Sequence, residues 1–340
     1  MPSLWGVVVT AFERLFWQRL QRRVAALEPE IARAILRAFD AIRASLGGER
    51  FADLIARGDT LEIGRLLDDR LLDQAFAPVR QAIYTQTVEG VTFHAREIPK
   101  AQGAGIGFNV LNPRMIDAIR ALDTKVVQAL KADVREVVQQ VVERGIRDGV
   151  NPRRVARDLR AAVGLGPSQE REVENFRRAL VERDAAKVRR YTKRDRRFDR
   201  RIARGDYGDA EIEKWTEIYR KRRIALNAET NARTAALDAQ KAAQRLSWES
   251  AIERGIVRRE DLMKRWAGTL DERERPEHLA MEGETVQFDE PFSNGQALPG
   301  DTEYNCRCLA LYSTRYKRQP ARPVRGDLAS ARVARQAISA

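Results

Sequence analysis

The stretch PRMIDAIRALDTKVVQALKADVREVVQQVVERGIRDGVNPRRVARDLRAAVG, residues 113–164, decides the fold class. Ile116, Ile119, Leu122, Val126, Leu130, Val134, Val137, Val141 and Val142 recur at three- and four-residue steps, with charged residues opposite them. That spacing is helical. It predicts a long helix from Pro113 to about Arg147, ended by Gly149. Asn151-Pro152 then supplies an N-cap with proline at the first helical position, and this second, short helix stops at Gly164.

Upstream, the apolar positions Leu15, Leu20, Val24, Leu27, Ile31, Ile35, Phe39 and Ile42 keep the same period. They predict a helix over about 4–46, broken or kinked near Pro29 and stopped by Gly47-Gly48. A second helix covers about 49–57. Asp59 and Glu62 form a capping pair for a third, running through Leu66 and Leu71 to Phe76. Pro78 marks a boundary or kink before a further helix to about Thr92. Residues 99–112 read as a linker, because Pro99, Gly103, Gly105, Gly107 and Asn112-Pro113 punctuate them. The three glycines lack the strand before and the helix after that a phosphate cradle needs.

Downstream, a highly charged helix is expected from near Ser168 through Arg204, interrupted by Gly205–Gly208. Asp209 can cap a very long helix from Ala210 to about Ile252, closed by Gly255. Thr285–Phe288 and Leu309–Tyr312 alternate like strands. The fold class is therefore mainly α: an elongated multi-helix body with a small C-terminal α+β module that a metal could stabilise. The expected organisation is an N-terminal helical region (1–98), a linker (99–112), a helical part (113–259), a compact module (260–313) and a basic flexible tail (314–340).

Composition narrows the function classes. The 340 residues are 43% hydrophobic, 33% charged and only 7% aromatic, which suits thin helical layers. A net charge of +13 predicts attraction to DNA, RNA or an acidic protein surface, unless it only reflects an arginine-biased composition. Two cysteines exclude a disulfide-built secreted fold and suit a reducing cytoplasm. Glu13 and Arg14 interrupt the apolar start, so neither a transmembrane span nor a signal peptide is expected.

Both cysteines and one of the two histidines fall between Trp266 and Cys308. Cys306 and Cys308 cannot easily close on each other as a disulfide, but a turn can present both thiolates to one ion. Cys306, Cys308, His278 and Asp271 offer the thiolate, imidazole and carboxylate donors of a structural zinc site. The bland alternative is a metal-free module with the cysteines buried as small apolar groups. Trp266 reads as the module's hydrophobic anchor, Gly283 as a turn, and Phe292 and Asn305 as structural. A dense basic run comprises Arg189, Arg190, Lys193, Arg194, Arg196, Arg197, Arg200, Arg201 and Arg204. It is a candidate contact for DNA or an acidic partner, or a solvated face with local pairs to Asp195 and Asp199. His94 is assigned no role.

The order Trp266, Asp271-x-Arg273-x-Arg275-x-x-His278, Gly283, Phe292, Pro299-Gly300-Asp301 and Asn305-Cys306-Arg307-Cys308 resembles the phage Mu protein F-like family of minor head proteins. Glu229–Arg233 falls where that family carries an Arg-Thr-Glu-Thr-x-x-Ala helix, with Asn227-Ala228 replacing the opening Arg-Thr. Residues 195–201 also look like a segment seen in part of the family. The resemblance covers roughly 140–312. It implies a non-enzymatic structural component of a tailed-phage or prophage head. Such a protein would act in head morphogenesis through the portal, capsid or scaffold proteins, through double-stranded DNA without sequence preference, and through self-association. It would sit in the virion head near the portal and in the host cytoplasm during assembly, with no membrane partner. The rival is a metal-dependent nuclease or hydrolase centred on His278 and Asp271, in which these two and Glu277 do chemistry around a bound ion.

Overall fold

The computed structural model describes residues 11–46, 49–102, 113–269, 271–301, 303–304 and 306–314. Its helices are α1 (Ala11–Ser45), α2 (Glu49–Ala56), α3 (Thr60–Leu66), α4 (Asp69–Gln102), α5 (Pro113–Arg147), α6 (Pro152–Ala162), α7 (Pro167–Val181), α8 (Ala185–Arg189), α9 (Asp199–Arg204), α10 (Asp209–Glu253) and α11 (Pro276–Leu279). Three strands follow α10 in sequence: β1 (Met263–Ala267), β2 (Thr285–Gln287) and β3 (Leu309–Ser313). The fold is mainly α with a small three-stranded antiparallel sheet, ordered β2-β1-β3. No helix among the described residues is long and apolar enough to cross a membrane.

The chain divides into two compact units, one made of residues 29–82 and 123–232, the other of 1–28, 83–122 and 233–340. In the first unit the stripe of α5 is buried at Val126, Leu130, Val134, Val137, Val141 and Val142. Phe39 of α1 meets Phe76 of α4 edge-on, with centroids 6.2 Å apart. Phe176 of α7 stacks on Tyr219 of α10 at 4.3 Å. Lys131 is buried on α5 and reaches Asp73 of α4 at 2.6 Å. Arg144 grips the buried Glu170 with both nitrogens, at 3.0 and 2.8 Å. In the second unit, Leu20 and Val24 of α1 are buried. Arg23 donates to Gln240 of α10 at 3.3 Å, and Gly90 of α4 leaves room for Ala243, which an added Cβ would meet at 2.9 Å.

Several boundaries differ from those read in the sequence. Pro29 does not end α1. Pro78 lies inside α4, where buried Leu72, Phe76 and Val79 offset the roughly 3 kcal/mol that an interior proline costs. The break falls earlier, at Leu67-Asp68, because the Asp68 carboxylate caps the Leu71 N–H at 2.7 Å. The expected helix from Ser168 to Arg204 is instead α7, α8, a 3-10 turn at Arg196–Phe198 and α9. Arg183 adopts a φ of 56°, Asp184 caps the Lys187 N–H at 2.8 Å, and Gly205 closes α9 at a φ of 67°. Asp209 begins α10 as a helical residue, while Glu211 accepts from the Gly208 N–H at 3.0 Å and does the capping. The Asp59 and Asn151 caps form as expected. The glycines at 103, 105 and 107 and the tail after 314 lie outside the described residues.

Candidate metal centre

β1 was not legible as a strand, and it organises the module. Its register sets Lys264 opposite Val286 and Tyr312, and Trp266 opposite Ala310. Directly paired residues share a sheet face, so one face carries Trp266, Val286, Ala310 and Tyr312 with Lys264 between them. Trp248, Val257, Leu262, Phe288, Ala310 and Tyr312 pack as one cluster. Trp266, Met281, Val286, Phe292, Cys306 and Cys308 pack as another. Lys264 is buried where it donates to the Ala297 carbonyl at 2.6 Å and lies 5.2 Å from the Phe292 ring centre. Burial, with Arg245 nearby, pushes its pKa down to about 8.

Trp266 anchors the second cluster. Its indole meets Phe292 edge-on at 5.1 Å and His278 at 5.4 Å. Its backbone is locked by the Gly283 N–H, which donates to the Trp266 carbonyl at 3.0 Å, with Gly283 at a φ of 79°. Pro276 starts the single turn of α11 and thereby points His278 inward, where it is 2% exposed. Cys306 and Cys308 lead into β3 and are both buried. Their sulfurs and a His278 ring nitrogen all lie within 4.8 Å of one another, a group that could hold a metal ion.

The imidazole faces both ways. Its Nδ1 is 3.5 Å from Cys306 Sγ and 3.6 Å from Cys308 Sγ. On the far side, Nε2 is 2.5 Å from Glu303 Oε2. Glu303 is held in turn by Arg275 at 3.0 Å and by Gln296 at 2.9 Å. Buried Lys241 of α10 donates to the Pro299 carbonyl at 2.5 Å. A hydrogen bond from Cys308, helped by the Lys241 charge, lowers the Cys306 pKa to about 6, and the same bond with burial pushes Cys308 up. Gly300, at a φ of 78°, closes over the site, where an added Cβ would stand 2.7 Å from Cys306 Cβ.

Asp271 is not brought to this group. Both its oxygens bind Arg307, each at 2.5 Å, and that guanidinium holds the carboxyl below its ordinary range. Glu274 comes closer, with Oε1 3.5 Å from Cys308 Sγ. Glu277 is exposed, and Asn305 lies outside the described residues. Glu274, Glu303 and Lys241 were not singled out from the sequence, where each is one of many like charges.

The basic run splits in two. Arg194 binds Asp199 through two nitrogens at 2.9 and 2.8 Å. Arg197 pairs with Asp195 at 2.6 Å, which holds that carboxyl down at about 2. Arg201 reaches Glu211 at 3.1 Å and lies over the Trp215 ring. Arg189, Arg190, Lys193, Arg196, Arg200 and Arg204 are exposed. Asn227, in the element where the sequence departs from the family pattern, has a buried amide that donates to the Gly164 carbonyl at 3.0 Å.

The family described as phage Mu protein F like protein matches residues 136–311, a span that includes α6 to α11 and the strand region through Leu311. No curated protein and no solved structure matches the chain significantly.

Proposed function

Because the chain belongs to the phage Mu protein F-like family, we propose that it is a structural minor head protein of a tailed phage or prophage, acting in head morphogenesis without catalysis. The family match carries this reading, since it takes in more than half of the chain, including α6 to α11 and the module around Cys306 and Cys308. On this proposal the chain contacts portal and capsid or scaffold proteins, sits in the virion head near the portal, and is made in the host cytoplasm. The exposed basic side chains between Arg189 and Arg204 support a polyanionic partner, packaged double-stranded DNA read without sequence preference. The hydrolase alternative is poorly supported, because Asp271 is committed to Arg307 and cannot also activate a water beside His278.

Deleting the gene from the phage or prophage and counting particles tests the proposal. Heads fewer in number, low in DNA or non-infectious, restored by a supplied copy, are the expected result. Particles normal in all three respects would overturn it.

A further inference from the structure

A tetrahedral zinc ion with Zn–S bonds of about 2.3 Å and Zn–N bonds of about 2.0–2.1 Å holds its nitrogen and sulfur ligands about 3.5–3.6 Å apart. His278 Nδ1 stands 3.5 and 3.6 Å from the two sulfurs. We propose that the chain binds one zinc ion through His278 Nδ1, Cys306 Sγ, Cys308 Sγ and the Glu274 carboxylate, as a closed structural site. Thiolates and an imidazole are the donor set that zinc favours, and Cys306 and Cys308 converge on one imidazole nitrogen.

Glu274 is the carboxylate that stands beside a cysteine sulfur. Asp271 has both oxygens on Arg307. Glu303 lies beyond the ring, at Nε2, where a carboxylate orients a ligating histidine instead of joining the shell. Nδ1 is the ring nitrogen that faces the two sulfurs. Glu274 Oε1 is 3.5 Å from Cys308 Sγ, about the oxygen–sulfur edge of the same tetrahedron. It stands outside the group of three within 4.8 Å, so the proposed shell requires this side chain to move towards Cys306 and His278. Two thiolates and one carboxylate leave the zinc complex with a single negative charge, and buried Lys241 supplies the positive charge beside it. The Lys241 Nζ is close enough that a Cβ on Gly300 would lie 3.2 Å from it and 2.9 Å from Cys306 Sγ.

Elemental analysis of the full chain, purified without chelator, should find about one zinc per chain, as one tetrahedral shell requires. The cobalt-substituted chain should show the intense visible bands of a tetrahedral site with thiolate ligands. Glu274→Gln should weaken zinc at least tenfold in competition with a chelator of known affinity, and should alter the cobalt bands. Glu303→Gln should weaken zinc by about 10–100-fold with the bands retained. Asp271→Asn should change neither. Wild-type chain without zinc would overturn the proposal, and that measurement depends on no variant folding. Unchanged affinity and bands in Glu274→Gln, or loss of zinc in Asp271→Asn, would overturn the closed four-residue shell. None of these readouts involves particles, so failure here is distinct from failure of the head-assembly reading.

Discussion

An alanine at position 300 would carry its Cβ to 2.7 Å from Cys306 Cβ, at a φ of 78° that costs an L residue about 1–2 kcal/mol before any clash. Gly300→Ala is therefore expected to lower the thermal midpoint and the zinc content together, read by circular dichroism and elemental analysis. His94 gives a pH prediction. It is buried against Phe16 and Phe93, and burial, with the Arg23 charge, pushes its pKa down to about 3. The unfolded chain takes up a proton near the ordinary 6.5 and the folded chain does not, so His94 costs stability as pH falls from about 6.5 towards 3. Between pH 7 and pH 5 the loss is about 2 kcal/mol. Glu282 runs the other way. Burial raises its pKa to about 7, and its contribution is lost as pH rises from 4.5 through that value. His94→Phe should remove only the first effect, seen as a rise of the denaturant midpoint at pH 5 relative to that at pH 7. At this scale the sequence revealed the rare donors, His278 and the two cysteines. It could not reveal which carboxylates attend them, because Glu274 and Glu303 are chosen by the turns around α11 and Gly300.

Among the elements, α5 was legible because its apolar stripe is buried from Val126 to Val142. Leu130→Ala should cost about 2–5 kcal/mol of unfolding free energy, the range for emptying a packed leucine site. Ile146, on the same helix and 46% exposed, should change stability by no more than about 0.5 kcal/mol when cut to alanine. Denaturant titration of both variants checks the contrast. What resisted reading is equally physical. Proline at 78 sits in a helix because tertiary burial outweighs the lost hydrogen bond. The charged span after α7 turns three times because Asp184, Asp195 and Gly205 cap or end short helices, while the arginines themselves favour helix and mask those stops. β1 shows no alternation because Lys264 and Arg265 are buried along with Trp266.

For the molecule as a whole, polyanion binding is the testable surface property. Each phosphate neutralised adds about −0.9 to the slope of log affinity against log salt. Replacing Arg189, Arg196, Arg200 and Arg204 by glutamine should flatten the slope by up to about 3.6 without unfolding the chain. Arg197 and Arg201 already face Asp195 and Glu211, so their replacement should flatten the slope less. Titration of duplex DNA at several salt concentrations separates the two sets, and an unchanged slope in the first set removes DNA from the proposed partners. One compact unit draws on residues 1–28, 83–122 and 233–340. A ribosome delivers these in order, so Leu20 and Val24 emerge long before α10 and the sheet region that complete their unit. Gln21 finds the Arg307 carbonyl only across a separation of 286 residues. The part of the first helix before Pro29 must therefore wait, apolar side uncovered, until nearly the whole chain has been synthesised. A nascent chain stalled before residue 233 should engage chaperones or aggregate, while one that has released Ser313 has every described segment it needs to close.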